Sequence, residues 1–240
     1  MLLINRSIGL LAIVMTNSPA LVLVCKRPGL GHGKQRLARH LGLEVAQLVA
    51  EALLACAVED ACNWPGPVVI APANQHDYDW AMTLAKPIKS PVMVVPQLSG
   101  NLGQRLNSID KVLRSQGIDQ LVYIGSDSPA LRADDYFIVR KTLQRYDTVL
   151  KPASDGGVVL MSSCCPWPKL SDLPWSTDQL GISLINACYK AGHSVISLEK
   201  GYDVDELDDF MRLIPQLETD QRPARRALHQ LVSHLSFAEK

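Results

Sequence analysis

Residues 20–36 read ALVLVCKRPGLGHGKQR, an apolar run followed directly by a basic loop that contains three glycines and a proline. The apolar run, Ala20–Cys25, is typical of a short buried β-strand. A strand that opens into such a loop and then into a helix presents backbone N–H groups and positive charge to a phosphate. The spacing matches neither the Walker A loop nor the G-x-G-x-x-G dinucleotide fingerprint. The loop is therefore either a phosphate site or a solvated surface loop.

Short apolar runs and helical patterns alternate through the rest of the chain. Strands are predicted at 68–71, 91–95, 120–125, 147–151, 157–161 and 193–198, and helices at 41–62, 77–85, 99–113, 133–145, 176–192 and 223–237. The segment 202–206 leads into a further helix that runs to about residue 217. This order predicts βαβ units, a mostly parallel sheet and helices on both of its faces. In such an α/β sheet, ligands bind beyond the carboxyl ends of the strands.

Length and charge restrict the class of protein. The 240 residues are 47% hydrophobic, which suits one α/β domain, and 24 basic side chains balance 24 acidic ones. A balanced charge predicts neither a nucleic-acid nor a membrane partner. The apolar run at 8–15 is about half of the ~18 residues that a spanning helix needs. We expect an extension at 1–18, the main domain at 19–217 and a helix packed on it at 218–240.

The six cysteines show no Cys-x-x-Cys spacing, and most of them lie within apolar runs. This pattern predicts reduced, buried thiols rather than disulfides or a zinc site, and it favours the cytoplasm. Cys164 and Cys165 are adjacent, and we interpret them as loop or core residues.

Four aspartates follow predicted strands, at the edge where a ligand is expected. Asp127 comes directly after the strand at 120–125, where a carboxylate can hold Mg²⁺ or Mn²⁺, or where Asp-Ser-Pro can simply start a turn. Asp203 and Asp205 precede a helix, so one of them can cap it, or the pair can complete a metal site with Asp127. Of the two, we favour Asp205 as the ligand.

Asp155, Gly156 and Gly157 lie between two predicted strands. Asp-Gly in this position is a strong signal for a β-hairpin turn. The two glycines would also let the backbone approach a ligand closely, while Asp155 binds or orients an acceptor hydroxyl. The two roles are compatible.

Basic side chains supply the positive charge that a phosphate site needs beside the metal-binding carboxylates. Lys26, Lys34 and Arg36 can neutralise a di- or triphosphate, the arginine through a bidentate fork and the lysines as point charges. Arg105, which follows Gly103, either adds to this phosphate-binding set or is a surface residue of a helix without a role in binding.

Six short motifs also match one known family in the family's own order. They are Lys26, Pro28, Gly31, Lys34, Arg36, Leu37 and Ala38; Leu102-Gly103 with Arg105; Gly125-Ser126-Asp127-Ser128-Pro129 with Leu131; Pro152-Ala153 with Asp155-Gly156-Gly157; Pro174-Trp175-Ser176-Thr177-Asp178; and Asp203-Val204-Asp205. Through them the chain resembles the glycosyltransferase-like rSAM/selenodomain-associated transferases, relatives of the 2-phospho-lactate and molybdopterin guanylyltransferases. The matches extend from about residue 20 to residue 212.

The resemblance implies a GT-A, nucleotide-diphospho-sugar transferase fold: a single-domain, Rossmann-like three-layer α/β/α sandwich that binds a nucleotide and a divalent metal. It also implies that Asp127 and Asp205 are metal ligands and that Lys26, Lys34 and Arg36 bind the phosphates. The chain departs from the family at Gln35, where Thr is usual, at Lys151, where Gly is usual, and at Val158, where Tyr is usual. The last two departures concern the acceptor pocket.

These observations predict a metal-dependent transferase that uses an activated nucleotide. The favoured reaction is nucleotidyl transfer from an NTP to a phosphorylated small molecule, with Lys34, Asp127 and Asp155 closest to the chemistry. The first alternative is glycosyl transfer from a nucleotide sugar. The second, motivated by Lys151 and Val158, is a nucleotide-binding protein without catalysis.

Overall fold

The computed structural model describes residues 18–29 and 33–238, and for 236–238 the backbone alone. This part of the chain forms seven strands and eight α-helices. The strands are β1 Ala20–Cys25, β2 Val68–Pro72, β3 Val92–Val94, β4 Leu121–Ile124, β5 Thr148–Pro152, β6 Val158–Ser163 and β7 Val195–Ser197. The helices are α1 Gln35–Leu41, α2 Leu43–Asn63, α3 Tyr78–Ala85, α4 Leu102–Ser115, α5 Ala133–Thr142, α6 Leu180–Lys190, α7 Leu207–Leu217 and α8 Pro223–Ala238.

The seven strands form one sheet in the order β3-β2-β1-β4-β6-β5-β7. β6 pairs antiparallel with both β4 and β5, and every other pairing is parallel. The mostly parallel sheet predicted from the sequence is therefore confirmed. The strand order changes direction between β1 and β4, which is where an α/β sheet opens a crevice for a ligand.

Both faces of the sheet are covered. Alternate residues of β1 point to opposite sides, so Leu21 and Leu23 pack with α2, α3 and α5, whereas Ala20 and Val22 pack with α4 and α6. Burial on both sides explains why the strand reads as a continuous apolar run. The result is the predicted three-layer α/β/α sandwich.

A third apolar cluster lies beside the sheet and joins α1, α2, α7 and α8. Leu37 of α1, Phe210 of α7 and Leu228 of α8 are buried in it. The helix predicted near the C-terminus thus packs on the domain. The predicted boundaries at 18/19 and 217/218 stay predictions, and residues 1–17 lie outside the described part of the chain.

Several predicted boundaries differ from the structure, and two of the differences have a clear physical reason. The sequence pattern predicts one helix from residue 41, but α1 ends at Leu41 and α2 begins at Leu43, because Gly42 between them has φ +82° and breaks the helix. Helix α6 begins at Leu180 rather than at Ser176, whose φ of +64° is not helical. No helix among the described residues is both long and apolar enough to cross a membrane.

The C-terminal helix is held by a buried ionic network. Arg225 is fully buried and donates to Asp60 Oδ2 (2.6 Å), Glu59 Oε2 (2.9 Å), the Pro129 carbonyl (3.2 Å) and the Cys56 carbonyl. Asp60, itself 7% exposed, also pairs with Arg222 Nη1 at 3.1 Å, so two cations neutralise a carboxylate whose burial alone would be strongly unfavourable.

We therefore expect Arg225→Met to lower the free energy of unfolding by about 2–4 kcal/mol, since it removes the cation beside Glu59 and leaves Asp60 with only Arg222 and the Tyr136 hydroxyl as partners. Urea denaturation followed by circular dichroism measures the change. Arg226→Met, at the exposed neighbouring position, is the matched control and should stay within about 0.5 kcal/mol of wild type. Equal effects at the two positions would contradict the role given to Arg225.

Candidate functional site

A cavity of about 820 Å³ opens at the carboxyl ends of the parallel strands, over β1 and β4. Its walls come from the segments that follow β1 and β4, from the β5–β6 hairpin, from α4, and from 175–178 and 203–205. Of the predicted site residues it includes Lys26, Arg36, Arg105, Asp127, Asp155, Gly157, Asp203 and Asp205. The structure therefore brings together side chains that are up to 179 residues apart in the sequence.

Asp127 is placed by the end of β4. The strand ends at Ile124, and Gly125 then allows the Asp127 side chain to fold back, since a Cβ at Gly125 would lie 2.6 Å from Asp127 Oδ1. The Asp127 carbonyl accepts a hydrogen bond from the Val204 backbone N–H at 2.9 Å. This bond fastens the segment with Asp203 and Asp205 beside Asp127.

Lys34 reaches into the same cluster of groups. Its Nζ lies 3.2 Å from Asp127 Oδ2 and donates to the Val204 carbonyl at 2.5 Å. Lys34 has φ +45°, a left-handed conformation that is uncommon for a residue with a side chain and is often found at functional sites. The loop before α1 is thus shaped to aim an ammonium group at Asp127.

Asp203 carries the clearest electrostatic perturbation of the site. Burial first, and then the charges of Asp127 and Asp155, raise its pKa to about 6, while Lys34 acts in the opposite direction. Three carboxylates therefore crowd one region of the cavity. A divalent cation would relieve their mutual repulsion.

Arg36 and Asp205 form a pair on the rim. Arg36 Nη1 lies 3.0 Å from Asp205 Oδ2 and 3.2 Å from Glu206 Oε1, and all three side chains are well exposed. The sequence pattern favours Asp205 over Asp203 as a metal ligand. The charge of Asp203 is coupled to those of Asp127 and Asp155, whereas Asp205 pairs with Arg36, and the choice of metal ligand between the two stays a prediction.

Residues 155–157 form the turn between β5 and β6, as the sequence predicts for a hairpin. Asp155 Oδ1 accepts from the Gly157 N–H at 2.9 Å, which fixes the turn. Gly156 has φ +92°, and a Cβ there would collide with the Asp178 backbone. The glycine thus lets the wall at 175–178 close over the hairpin.

Two polar side chains of the cavity wall have buried atoms that find no partner within the described part of the chain. These are Nε of Arg105 and Oε1 of Gln97, whose Nε2 already donates to the Ala71 carbonyl at 2.7 Å. Gln97 is not among the site residues predicted from the sequence. Its position two residues beyond the predicted strand at 91–95 is the signal that could have found it.

Other predicted residues lie elsewhere. Pro28 lines a separate groove between α2 and α3. Gly31 lies outside the described residues. Lys151 does not line the cavity, for its Nζ pairs with Asp135 Oδ1 at 2.9 Å and the Glu199 carbonyl at 3.0 Å. Of the two family departures at the acceptor side, only Val158 faces the cavity.

The strand order and the cavity at the switch point define a Rossmann-like α/β protein with a charged ligand cavity at the carboxyl ends of its parallel strands. The model of the family described as uncharacterized proteins conserved in bacteria (DUF2064) matches residues 53–177, over half of the chain, and the chain belongs to this family. This family match confirms the resemblance that the sequence motifs indicate. No curated protein matches the chain significantly.

Solved structures share the fold. A candidate nucleotide-diphospho-sugar transferase from Desulfovibrio desulfuricans G20 superimposes with a TM-score of 0.77 at 21% identity, over 91% of this chain and 98% of that one. A cytidylyltransferase from Leptospira borgpetersenii serovar Hardjo-bovis gives a TM-score of 0.50 at 12% identity, over 92% and 96%. At such identities the similarity establishes the fold alone.

The raised pKa of Asp203 predicts a pH-dependent stability. A carboxyl group whose pKa is higher in the folded than in the unfolded chain stabilises the fold at low pH and loses that contribution as pH rises through about 6. In Asp203→Asn the side chain does not ionise, so this pH-dependent loss of folding stability is absent. We expect the variant's stability relative to wild type to rise between pH 4 and pH 7.5, by at most roughly 3 kcal/mol.

Chemical denaturation of both proteins in a metal-chelating buffer measures this difference. The same comparison in an Asp127→Asn background serves as the control. There the gain in stability should be smaller, because Asp127 no longer raises the pKa of Asp203, while Lys34, which lowers it, has lost its ion-pair partner. A relative stability that does not change with pH would contradict the coupling of these carboxylates.

Proposed function

We propose that this protein is a divalent-metal-dependent transferase that uses an activated nucleotide. The observation that carries the proposal is the meeting of carboxylates and cations in one cavity at the switch point of a GT-A-like sheet: Asp127, Asp155 and Asp203 beside Lys26, Lys34 and Arg36. A cavity of about 820 Å³ has room for a nucleotide and a small acceptor.

The phosphates of the nucleotide bind at the cationic wall in this proposal. Lys26 comes from the loop after β1 and Arg36 from the first turn of α1, and Arg105 enters from the first turn of α4 with a buried Nε that lacks a partner among the described residues. A bound phosphate oxygen would satisfy that atom, and Arg36 can grip a phosphate bidentately. Lys34 stays with Asp127 and the Val204 carbonyl and orients the carboxylate.

Asp127 and Asp203 are the residues that would hold Mg²⁺ or Mn²⁺, with phosphate oxygens and water as the other ligands. Hard oxygen donors and the repulsion that raises the pKa of Asp203 both suit a small divalent cation. When bound, the ion neutralises charge on the phosphates during transfer. Asp205 positions Arg36 in this arrangement.

The walls away from the cationic side chains suit the remaining parts of a substrate, its base and the acceptor. Oε1 of Gln97 is a buried acceptor that can receive a hydrogen bond from an amino group of a nucleotide base. Asp155 and Val158 line the side of the hairpin, where an acceptor would bind. Catalysis then rests on positioning and charge neutralisation, without a protein nucleophile.

Nucleotidyl transfer from an NTP to a phosphorylated acceptor is the favoured reaction, because the cationic wall spans several phosphate positions, at Lys26, Arg36 and Arg105. The acceptor phosphate attacks the α-phosphorus and pyrophosphate leaves. Glycosyl transfer is the second candidate, favoured by Asp155 near the other carboxylates, where it can take a proton from an acceptor hydroxyl.

The decisive test is metal-dependent nucleotide binding, followed by thermal shift. With NTP at about 100 times its dissociation constant, Mg²⁺ should raise the Tm of wild type by roughly 5–10 °C. Asp127→Asn should abolish this Mg²⁺-dependent increment while leaving metal-free NTP binding equal or stronger, because a negative charge beside the phosphates has been removed.

Asp119→Asn is the matched control, since Asp119 is exposed and precedes β4 at the opposite edge of the sheet. It should behave as wild type. Pyrophosphate release from NTPs indicates nucleotidyl transfer, and NDP release from nucleotide sugars indicates glycosyl transfer. Mg²⁺-dependent binding without turnover of any donor would favour the non-catalytic alternative. An unchanged increment in Asp127→Asn would refute the site.

A further inference from the structure

A second cluster of ligand atoms lies at the other edge of the sheet, away from the cavity. Asp147 precedes β5 and the adjacent Cys164 and Cys165 follow β6. Because the two strands run antiparallel, with Thr148 opposite Ser163, the three side chains meet. Among the described residues they form a group whose two sulfurs and one carboxylate oxygen lie within 4.8 Å of one another.

We propose that Asp147, Cys164 and Cys165 form a binding site for Zn²⁺, with one coordination position open to water or an external ligand. Zn²⁺ binds thiolate sulfur at about 2.3 Å and carboxylate oxygen at about 2.1 Å in a tetrahedron. Ligand atoms of such a tetrahedron lie about 3.6 Å apart for an S–O pair. Asp147 Oδ1 lies 3.7 Å from Cys164 Sγ and 3.6 Å from Cys165 Sγ.

Surrounding hydrogen bonds hold the ligands in this arrangement. Asp147 Oδ2 accepts from the Ser194 N–H at 2.8 Å and from its hydroxyl at 2.6 Å, which turns Oδ1 toward the sulfurs. The Cys164 N–H donates to the Asp147 carbonyl at 2.9 Å, and the Ser163 hydroxyl donates to the Cys165 carbonyl at 2.8 Å. Such outer contacts commonly orient metal ligands.

The charge of the cluster is incomplete without a cation. The Asp147 carboxylate faces both sulfurs through Oδ1 while Ser194 holds Oδ2. Among the described residues no lysine or arginine forms an ion pair with it. A metal ion would supply the positive charge and stabilise both thiolates.

The cluster is accessible and is separate from the cavity. Both cysteines are partly exposed, so an ion can enter and a fourth ligand can reach it. β5 is five residues long, which places its two ends roughly 16 Å apart at about 3.3 Å per residue. The proposal is therefore independent of the nucleotide site, and either can fail without the other.

The test uses the full chain, reduced and stripped of metal, then dialysed with Zn²⁺ against a weak competing chelator. Wild type should retain one equivalent, and Co²⁺ in its place should give sulfur-to-metal charge-transfer absorption. Cys164→Ser/Cys165→Ser should lose both signals. Asp147→Asn should weaken Zn²⁺ binding at least about tenfold, because an amide oxygen is a poorer ligand.

Two matched variants keep the result interpretable. Cys62→Ser removes another partly exposed thiol and should change nothing, and Asp127→Asn should keep the thiolate signal even if the nucleotide site loses its metal. Circular dichroism confirms that each variant is folded. Either of two results would overturn the proposal: Zn²⁺ retention unchanged in the double cysteine variant, or no Zn²⁺ and no thiolate absorption with reduced wild type.

Discussion

The arrangement of the candidate site depends on one constraint, the repulsion among three carboxylates that the fold forces together. Asp127, Asp155 and Asp203 arrive from three different connections, and burial of Asp203 weakens the screening of its charge against the other two. In the folded chain the ammonium group of Lys34 offsets part of this charge. A site that holds more negative than positive charge at its centre is unfavourable for stability, and it favours binding of a cation.

The rest of the local structure serves to hold those groups in place. The bond from Val204 N–H to the Asp127 carbonyl links the end of β4 to the segment before α7, and Lys34 bonds the carbonyl of the same Val204. The left-handed backbone of Lys34 aims its side chain at that point. Unfavourable charge and an unusual backbone conformation therefore coincide at the C-terminal edge of the sheet.

Much of the fold could be predicted because it depends on local patterns. Each buried strand is an apolar run, and parallel strands bring the residues after their carboxyl ends to one edge, so Asp127 and Asp203 could be predicted to meet. The partner of Asp205 could not, because Arg36 is 169 residues away and the pairing depends on the course of two loops. Gln97 was missed because its position after a predicted strand is the single signal for it and no motif supports that signal, and the break at Gly42 was missed because an isolated glycine is tolerated inside helices.

The direction of β6 explains why carboxylates lie at one edge of this sheet and thiols at the other. Its reversed direction puts Cys164 and Cys165 at the edge opposite the cavity, where they meet the start of β5. An all-parallel sheet would have sent both cysteines to the nucleotide edge, among carboxylates. Hard oxygen donors select Mg²⁺ or Mn²⁺, and soft thiolates select Zn²⁺. Separation of the two donor types across the sheet would thus let two different ions bind one domain without competing for the same ligands.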